Sequence, residues 1–208
     1  MEATLSDIRH RVSVNSFEEG ATLSDGEIAT LVEYASQAPS SFNFQNWRFI
    51  AVRDSDAKLR LEAIAYGQKK VSQAAVTFIV LGLLNPQLRL AAALAPALEA
   101  GILDQATVDT WVGMANGMYG SNLELQRDEA IRSASMAAMT LMLAAEALGL
   151  GSGPMIGFDA AAVRKEFALA DDEIPAMLLT VGRKGPGNWP RKPRFPAEHP
   201  EDRLIGRQ

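Results

Sequence analysis

The chain contains no cysteine. That absence excludes disulfides, thiolate zinc sites, cysteine-ligated iron–sulfur clusters and cysteine nucleophiles together. Histidine is almost as scarce, with only His10 and His199, in opposite terminal segments. Neither sits in a His-Glu-x-x-His pattern or a carboxylate–histidine cluster, so no metal site is expected and nothing selects either for a Ser–His–acid triad. Long hydrophobic runs are also missing. The purest, residues 74–84, has 11 residues and includes Thr77, against about 20 for a bilayer span. No membrane partner is expected, and without a secretory leader a cytoplasmic location is. An excess of positive charge is lacking too: 20 Lys and Arg against 25 Asp and Glu leave a net charge of −5. Such a chain is a poor general binder of nucleic acid, and no nucleic-acid partner is expected. No Walker sequence and no internal repeat occur.

What is present is ordinary globular composition, 48% hydrophobic and 22% charged over 208 residues, which fits one domain. Leu5, Ile8 and Val12 keep helical spacing. Ser24-Asp25-Gly26-Glu27 reads as a capping box before a helix that Pro39 stops. Arg48–Val52 predicts a short strand, and Ser55 is expected to cap a helix carrying Leu59, Leu61 and Ile64. Ala75–Leu84 is apolar without alternation, as in a strand covered on both faces. Leu88–Ala100 and Thr107–Tyr119 read as helices. Glu129–Leu148 reads as the longest helix, apolar almost all round, and it must be buried within the monomer or between two subunits. Asp159 caps a short helix, and Ala176–Gly182 is a further strand. From Gly185 the chain is Pro/Gly-rich and basic. Together these elements predict an α+β fold with one core.

Several segments combine chemistry-bearing residues. Gly149-Leu150-Gly151-Ser152-Gly153-Pro154 suggests a dinucleotide loop, but a helix precedes it and Pro154 stands where a glycine is needed, so it reads as a flexible helix exit. Ser152 lacks the Gly-x-Ser-x-Gly context because Leu150 holds the first glycine position. Arg9-His10-Arg11-Val12-Ser13 is either a solvated charged helix end or a phosphate grip. Pro39 through Trp47 crowds hydroxyls, amides and an indole between a helix and a strand. It is a satisfied turn or a polar frame for a planar heterocycle. Pro154 through Asp159 sets Gly157 before a helix cap, where a ligand can approach the backbone. Residues 183–208 hold seven basic and three acidic side chains, about +4. Their prolines suit a rigid arm returning cations to an anion.

Four of these segments, in this order, resemble the flavin-dependent nitroreductase family: Arg11 through Phe17, Pro39 through Trp47, Gly149 through Asp159, and Lys192-Pro193-Arg194-Phe195-Pro196. Gly67 through Val71, before the apolar strand, is similar to that family's flavin-contacting segment. The resemblance spans roughly residues 5–196. It implies a nitroreductase-like α+β fold, a mixed central sheet flanked by helices, and an intertwined homodimer with FMN at each of two interface sites. The whole of 1–208 is then one FMN-binding domain, with a helical insertion at about 86–126 and an extended arm at about 185–208. By resemblance, Arg11, Val12, Ser13 and Asn15 lie at the phosphate and ribityl end, and Lys192 and Arg194 close on the same phosphate. Gln68 and Lys70 approach the polar edge of the isoalloxazine. Pro39, Ser40, Ser41 and Asn43 come from the partner subunit. The backbone around Ile156 and Gly157 faces the flavin N5, and Met155 also contacts the cofactor. Three positions depart from the family pattern. Val12 replaces a frequent basic residue or His, and Asn15 a usual Arg or Lys. Both remove charge from the phosphate end, with Arg9 as a substitute anchor. Asn46 replaces the usual proline before Trp47 and is expected to loosen the turn.

The resemblance implies an oxidoreductase passing hydride from NAD(P)H through flavin N5 to an electron-poor aromatic, a nitro compound or quinone, by ping-pong chemistry in one cavity. No catalytic side chain is then expected, because the flavin carries the hard step. Lys70 is expected to stabilise negative charge at the N1–O2 edge of the ring. Phe42 and Phe44 shape the substrate cavity or belong to the core. Enone reduction and dehalogenation on the same fold stay open, as does a flavin or aromatic-ligand carrier without turnover.

Overall fold

The structure, a computed structural model, describes residues 2–195. Pro196, His199 and the rest of the expected arm lie outside the described residues. The elements run α1 (Glu2–His10), α2 (Asp25–Ala35), a 3-10 turn (Ser41–Asn43), β1 (Trp47–Val52), α3 (Ser55–Ile64), α4 (Lys70–Gln73), β2 (Val76–Leu83) and a second 3-10 turn (Pro86–Arg89). Then come α5 (Leu90–Glu99), α6 (Gln105–Tyr119), α7 (Leu123–Ala147), β3 (Gly151–Met155), α8 (Ala160–Glu166) and β4 (Glu173–Gly182). The expected α+β class is what forms.

The strands make one sheet in the order β1-β2-β4-β3, every named pair antiparallel. Where a mixed sheet was expected, the four described strands are antiparallel throughout; outside them, a parallel bridge of Ser13 to Ser152 lays the segment after α1 along β3. Strand β2 lies at the centre of the architecture. Phe78 and Val80 pack with Leu31, Ala35, Ala137, Ala138 and Leu141 from α2 and α7. Ile79 and Leu81 point the other way, to Leu61, Val163 and Leu178 beside α3 and α8. Successive side chains alternate faces, so a strand with helices on both sides has no polar positions to spare. A satellite core gathers Phe44, Leu90, Leu94, Val108, Ala115 and Tyr119, holding α5 and α6 against the 3-10 turn.

The α2 capping box forms as read, with Ser24 and Glu27 bonding each other's backbone amides. Other local expectations shift. Asp54, not Ser55, caps α3, accepting from Ala57 N. A carboxylate in the cap also faces the positive end of the helix dipole. Helix α7 begins at Leu123 rather than Glu129, capped by Asn122. Its first turns are mostly polar and exposed, so apolar patterning does not reveal them.

The segment read as a flexible helix exit is a strand. Gly149, at φ 73°, ends α7 as expected, but residues 151–155 form β3. Its glycines answer to packing. A Cβ at Gly151 would lie 2.7 Å from Val14 Cγ2, and one at Gly153 would lie 2.5 Å from Val14 O. Glycine lets the 11–17 segment press directly on the strand. Asn46 also departs from expectation. It is buried, its side chain donates to Leu83 O at 3.1 Å, and Leu83 N donates to Asn46 O at 2.8 Å. It fastens β1 to the end of β2 rather than loosening the turn.

Candidate functional site

Arg11 follows the last residue of α1 and heads the segment that runs beside β3. Val14 N donates to Ser152 O at 2.9 Å, and Phe17 bridges Lys184 in antiparallel sense. The chain after β4 therefore returns beside the same segment. Arg11, Val12, Ser13 and Asn15 from one side and Gly187, Trp189, Arg191, Lys192 and Arg194 from the other line a cleft of about 640 Å³. Among the described residues the lining has four cations and no carboxylate. Arg11 Nη1 is buried and finds no hydrogen-bond partner among them. Burial, then the neighbouring Arg191 and Arg194, push the Arg11 guanidinium below its ordinary value, with Glu146 opposing. A half-buried guanidinium with Nη1 unpaired, beside two other cations, is an arrangement an anion completes. The donor set, forked guanidiniums with Ser13 and a lysine, suits a phosphate. Lys192 lies 4.7 Å over the Trp189 ring.

A second group continues from this cleft. Lys70 Nζ donates to Asn15 Oδ1 at 3.3 Å, and burial lowers the Lys70 ammonium from its ordinary value. Gln68 Nε2 donates to Gly157 O at 2.7 Å and Ala65 O at 3.0 Å, tying the loop before α4 to the loop after β3. The Met155 side chain belongs to the core beneath, whereas Ile156 is 81% exposed and Gly157 offers bare backbone. The structure thus brings Arg11, Val12, Ser13, Asn15, Gln68, Lys70, Gly157, Lys192 and Arg194 into one connected surface.

The Pro39–Asn43 turn is a separate group. Phe42 and Asn43 take left-handed backbone, φ 51° and 60°, a conformation that a bulky residue adopts only when its surroundings impose it. Here they do. Phe42 packs on Phe44 at 5.5 Å and on Trp111 at 6.2 Å between ring centroids. Ser41 Oγ lies 3.3 Å from Tyr119 Oη, and Ser41 N donates to the buried Glu129 carboxylate at 3.4 Å. Ser40 Oγ accepts from Gln45 N at 2.9 Å. Phe44 is in the satellite core. The turn's side-chain bonds run to Tyr119, Glu129 and Gln45, away from the Arg11 group.

Glu62 secures the base of the Gln68–Lys70 loop. It accepts from Lys69 Nζ at 2.7 Å and from Ser72 Oγ. Those two hydrogen bonds hold its carboxyl below the usual carboxylate range, against a smaller upward push from burial. A depressed folded pKa contributes stability above the unfolded pKa, and this is lost as pH falls through the folded one. Glu62→Gln therefore destabilises by about 1 kcal/mol at neutral pH. Its melting temperature also falls less than the parent's between roughly pH 5 and pH 3. Thermal melts across that range check it; parallel curves would refute the assignment.

Reading by residue missed Asn188, Glu129, Tyr119 and Trp111. Asn188 accepts from Asn15 N at 2.8 Å and Ser16 N at 3.0 Å. Its only sequence signal is a polar residue after glycine in a proline-rich stretch, which reads as a turn.

A model of the Nitroreductase family matches residues 8–183. YodC of Bacillus subtilis, named for NAD(P)H nitroreductase activity, is 31% identical over 183 residues, covering 88% of this chain and 90% of YodC. The crystal structure of Bacillus subtilis ydfN, described as a nitroreductase, matches with a TM-score of 0.91 at 31% identity, covering 98% of this chain and 100% of that one. A nitroreductase from Exiguobacterium sibiricum, solved in complex with FMN, matches with a TM-score of 0.89 at 26% identity over 97% of both chains. The protein belongs to the Nitroreductase family.

Proposed function

We propose that this protein binds FMN and works as an NAD(P)H-dependent oxidoreductase on electron-poor aromatic acceptors, nitro compounds or quinones. The observation that carries the reading is Arg11 Nη1, buried and without a partner among the described residues, in a cleft where the charged residues described are all positive. A flavin phosphate brings about two negative charges to such a site. The structure and sequence of the FMN-bound relative support the choice of this ligand.

Arg11, Ser13, Lys192 and Arg194 hold the phosphate. Asn15, held to Lys70, faces the ribityl chain. Gln68 and Lys70 present donors to the polar edge of the ring, and Lys70 favours negative charge there. Gly157 lets the ring come close to the backbone. FMN, when bound, would supply the redox chemistry, hydride transfer from a nicotinamide to an acceptor that uses the same place in turn. The chain's share is position and electrostatics, and no side-chain acid or nucleophile is required.

The Pro39–Asn43 turn acts on a second copy of the chain. Its separation from the Arg11 group, and its rigid hold on Glu129 and Tyr119, suit a turn offered to a partner's flavin in a homodimer. Leu143, Ala144, Ala147 and Leu148 of α7 and its C-terminal end, with Tyr34, leave an apolar groove of about 360 Å³ for that partner. Among the described residues no helix is long and apolar enough to cross a membrane.

The test is the visible spectrum after incubation with FMN and desalting. Retained flavin bands that NAD(P)H bleaches without oxygen, and that a quinone restores, are the expected result. Flavin that is retained but never bleached would make the protein a carrier, and no retained flavin would overturn the reading.

A further inference from the structure

The cleft has two walls of different kinds. One, residues 11–17, is bonded to β3. The other, residues 187–194, contains no helix or strand, yet it carries Arg191, Lys192 and Arg194, three of the four cations. Asn188 joins them. Its Oδ1 accepts from Asn15 N at 2.8 Å and Ser16 N at 3.0 Å, while its Nδ2 donates to Ser16 O at 2.7 Å and Gly185 O at 3.0 Å. Two acceptor and two donor contacts fix the orientation of the amide and explain the residue type. Aspartate has no protons for the two carbonyls at neutral pH, and serine is too short to span both sets. Gly185 N adds a bond to Ser16 O at 3.0 Å. A Cβ at Gly185 would sit 2.6 Å from the Phe17 backbone, so the close approach depends on glycine there. Three residues beyond the amide, the Arg191 guanidinium caps the end of α1, donating to Ile8 O at 2.6 Å and to Arg9 O.

We infer that Asn188 is a clasp that positions the cationic arm against Arg11, and that it thereby sets the preference of the site for a phosphorylated flavin over its unphosphorylated form. The inference rests on the FMN reading for its ligand and on the four hydrogen bonds for its mechanism. Asn188 itself need not touch the ligand. Its removal frees the arm, leaving Arg11 and Ser13 to face the phosphate alone, while Gln68, Lys70 and Gly157 keep their hold on the ring.

The experiment compares Asn188→Ala and Asn188→Asp with the parent, titrating the flavin-free protein with FMN and with riboflavin and following flavin fluorescence. In both variants the FMN dissociation constant rises roughly tenfold to a hundredfold, while the riboflavin constant stays within about twofold because riboflavin has no phosphate for the arm. Equal weakening of both ligands would make Asn188 a plain structural residue and overturn the inference, as would no change in either. A second measurement needs no flavin. Trypsin cleaves after Arg194 several-fold faster in Asn188→Ala than in the parent, because the arm is released. If the parent binds neither flavin, the functional reading falls, and this digestion still decides the clasp. An unchanged cleavage rate would refute it.

Discussion

Arg11→Gln weakens FMN binding by roughly one to two orders of magnitude and leaves the flavin-free protein no less stable than the parent. Both halves follow from one observation. In the free protein the guanidinium is partly buried, its Nη1 has no partner, and Arg191 and Arg194 repel it. Each of these terms opposes folding of the free chain, so removing the charge relieves them. In the proposed complex Arg11 joins Lys192 and Arg194 on the phosphate, and the substitution loses a charge-assisted fork. Arg11→Lys recovers only part of the affinity, because an ammonium lacks the planar fork. Fluorescence titration measures the first effect, and melting with and without FMN measures the second, since a ligand that binds only the folded form raises its stability. An unchanged affinity, or a flavin-free melt that drops by several degrees, would remove Arg11 from the phosphate site.

Gly82→Ala has the largest expected effect on stability. Gly82 lies in β2 where α7 crosses it, and a Cβ there would fall 2.3 Å from Ala130 O and 2.6 Å from Ala130 C. Both atoms are backbone of α7, so no side chain can turn aside. The helix must lift from the sheet, opening the core that Phe78, Ala134 and Leu141 fill. The cost is about 3 kcal/mol or more, which for a chain of this size lowers the melting temperature by roughly 6–12 °C. Gly113→Ala on α6 is the control. An added Cβ there meets nothing within 4 Å, and alanine is the better helix former by about 1 kcal/mol. If Gly82→Ala melts with the parent, the tight crossing of α7 over β2 is wrong.

Much of the fold is readable locally. The alternation-free run at residues 75–84 states a strand covered on both faces, and Ile79 and Leu81 against Phe78 and Val80 show why. Ser24 and Glu27 encode a helix start in four residues because both partners of the capping box lie within that span. The start of α7 was hidden for the opposite reason. Its first turns have no apolar stripe and depend on the Asn122 cap. Strand β3 was hidden because its glycines mimic a loop, and what excludes side chains there is Val14, far away in the chain.

By itself the sequence determined the class, most of the elements and their order, the absence of cysteine chemistry, and the residue types that suit an anionic, planar ligand. Each of these is a matter of composition or of contacts within a few residues. Only the tertiary structure decided that Arg11 is half-buried with Nη1 unpaired among the described residues, that Lys70 meets Asn15, that Asn188 bonds Asn15 and Ser16, and that the Pro39–Asn43 turn stands apart from all of them. Asn188 and Asn15 are separated by 173 positions in the chain. No local pattern encodes a contact at that range, because it exists only once β3, β4 and the segment after α1 have been packed side by side by the core.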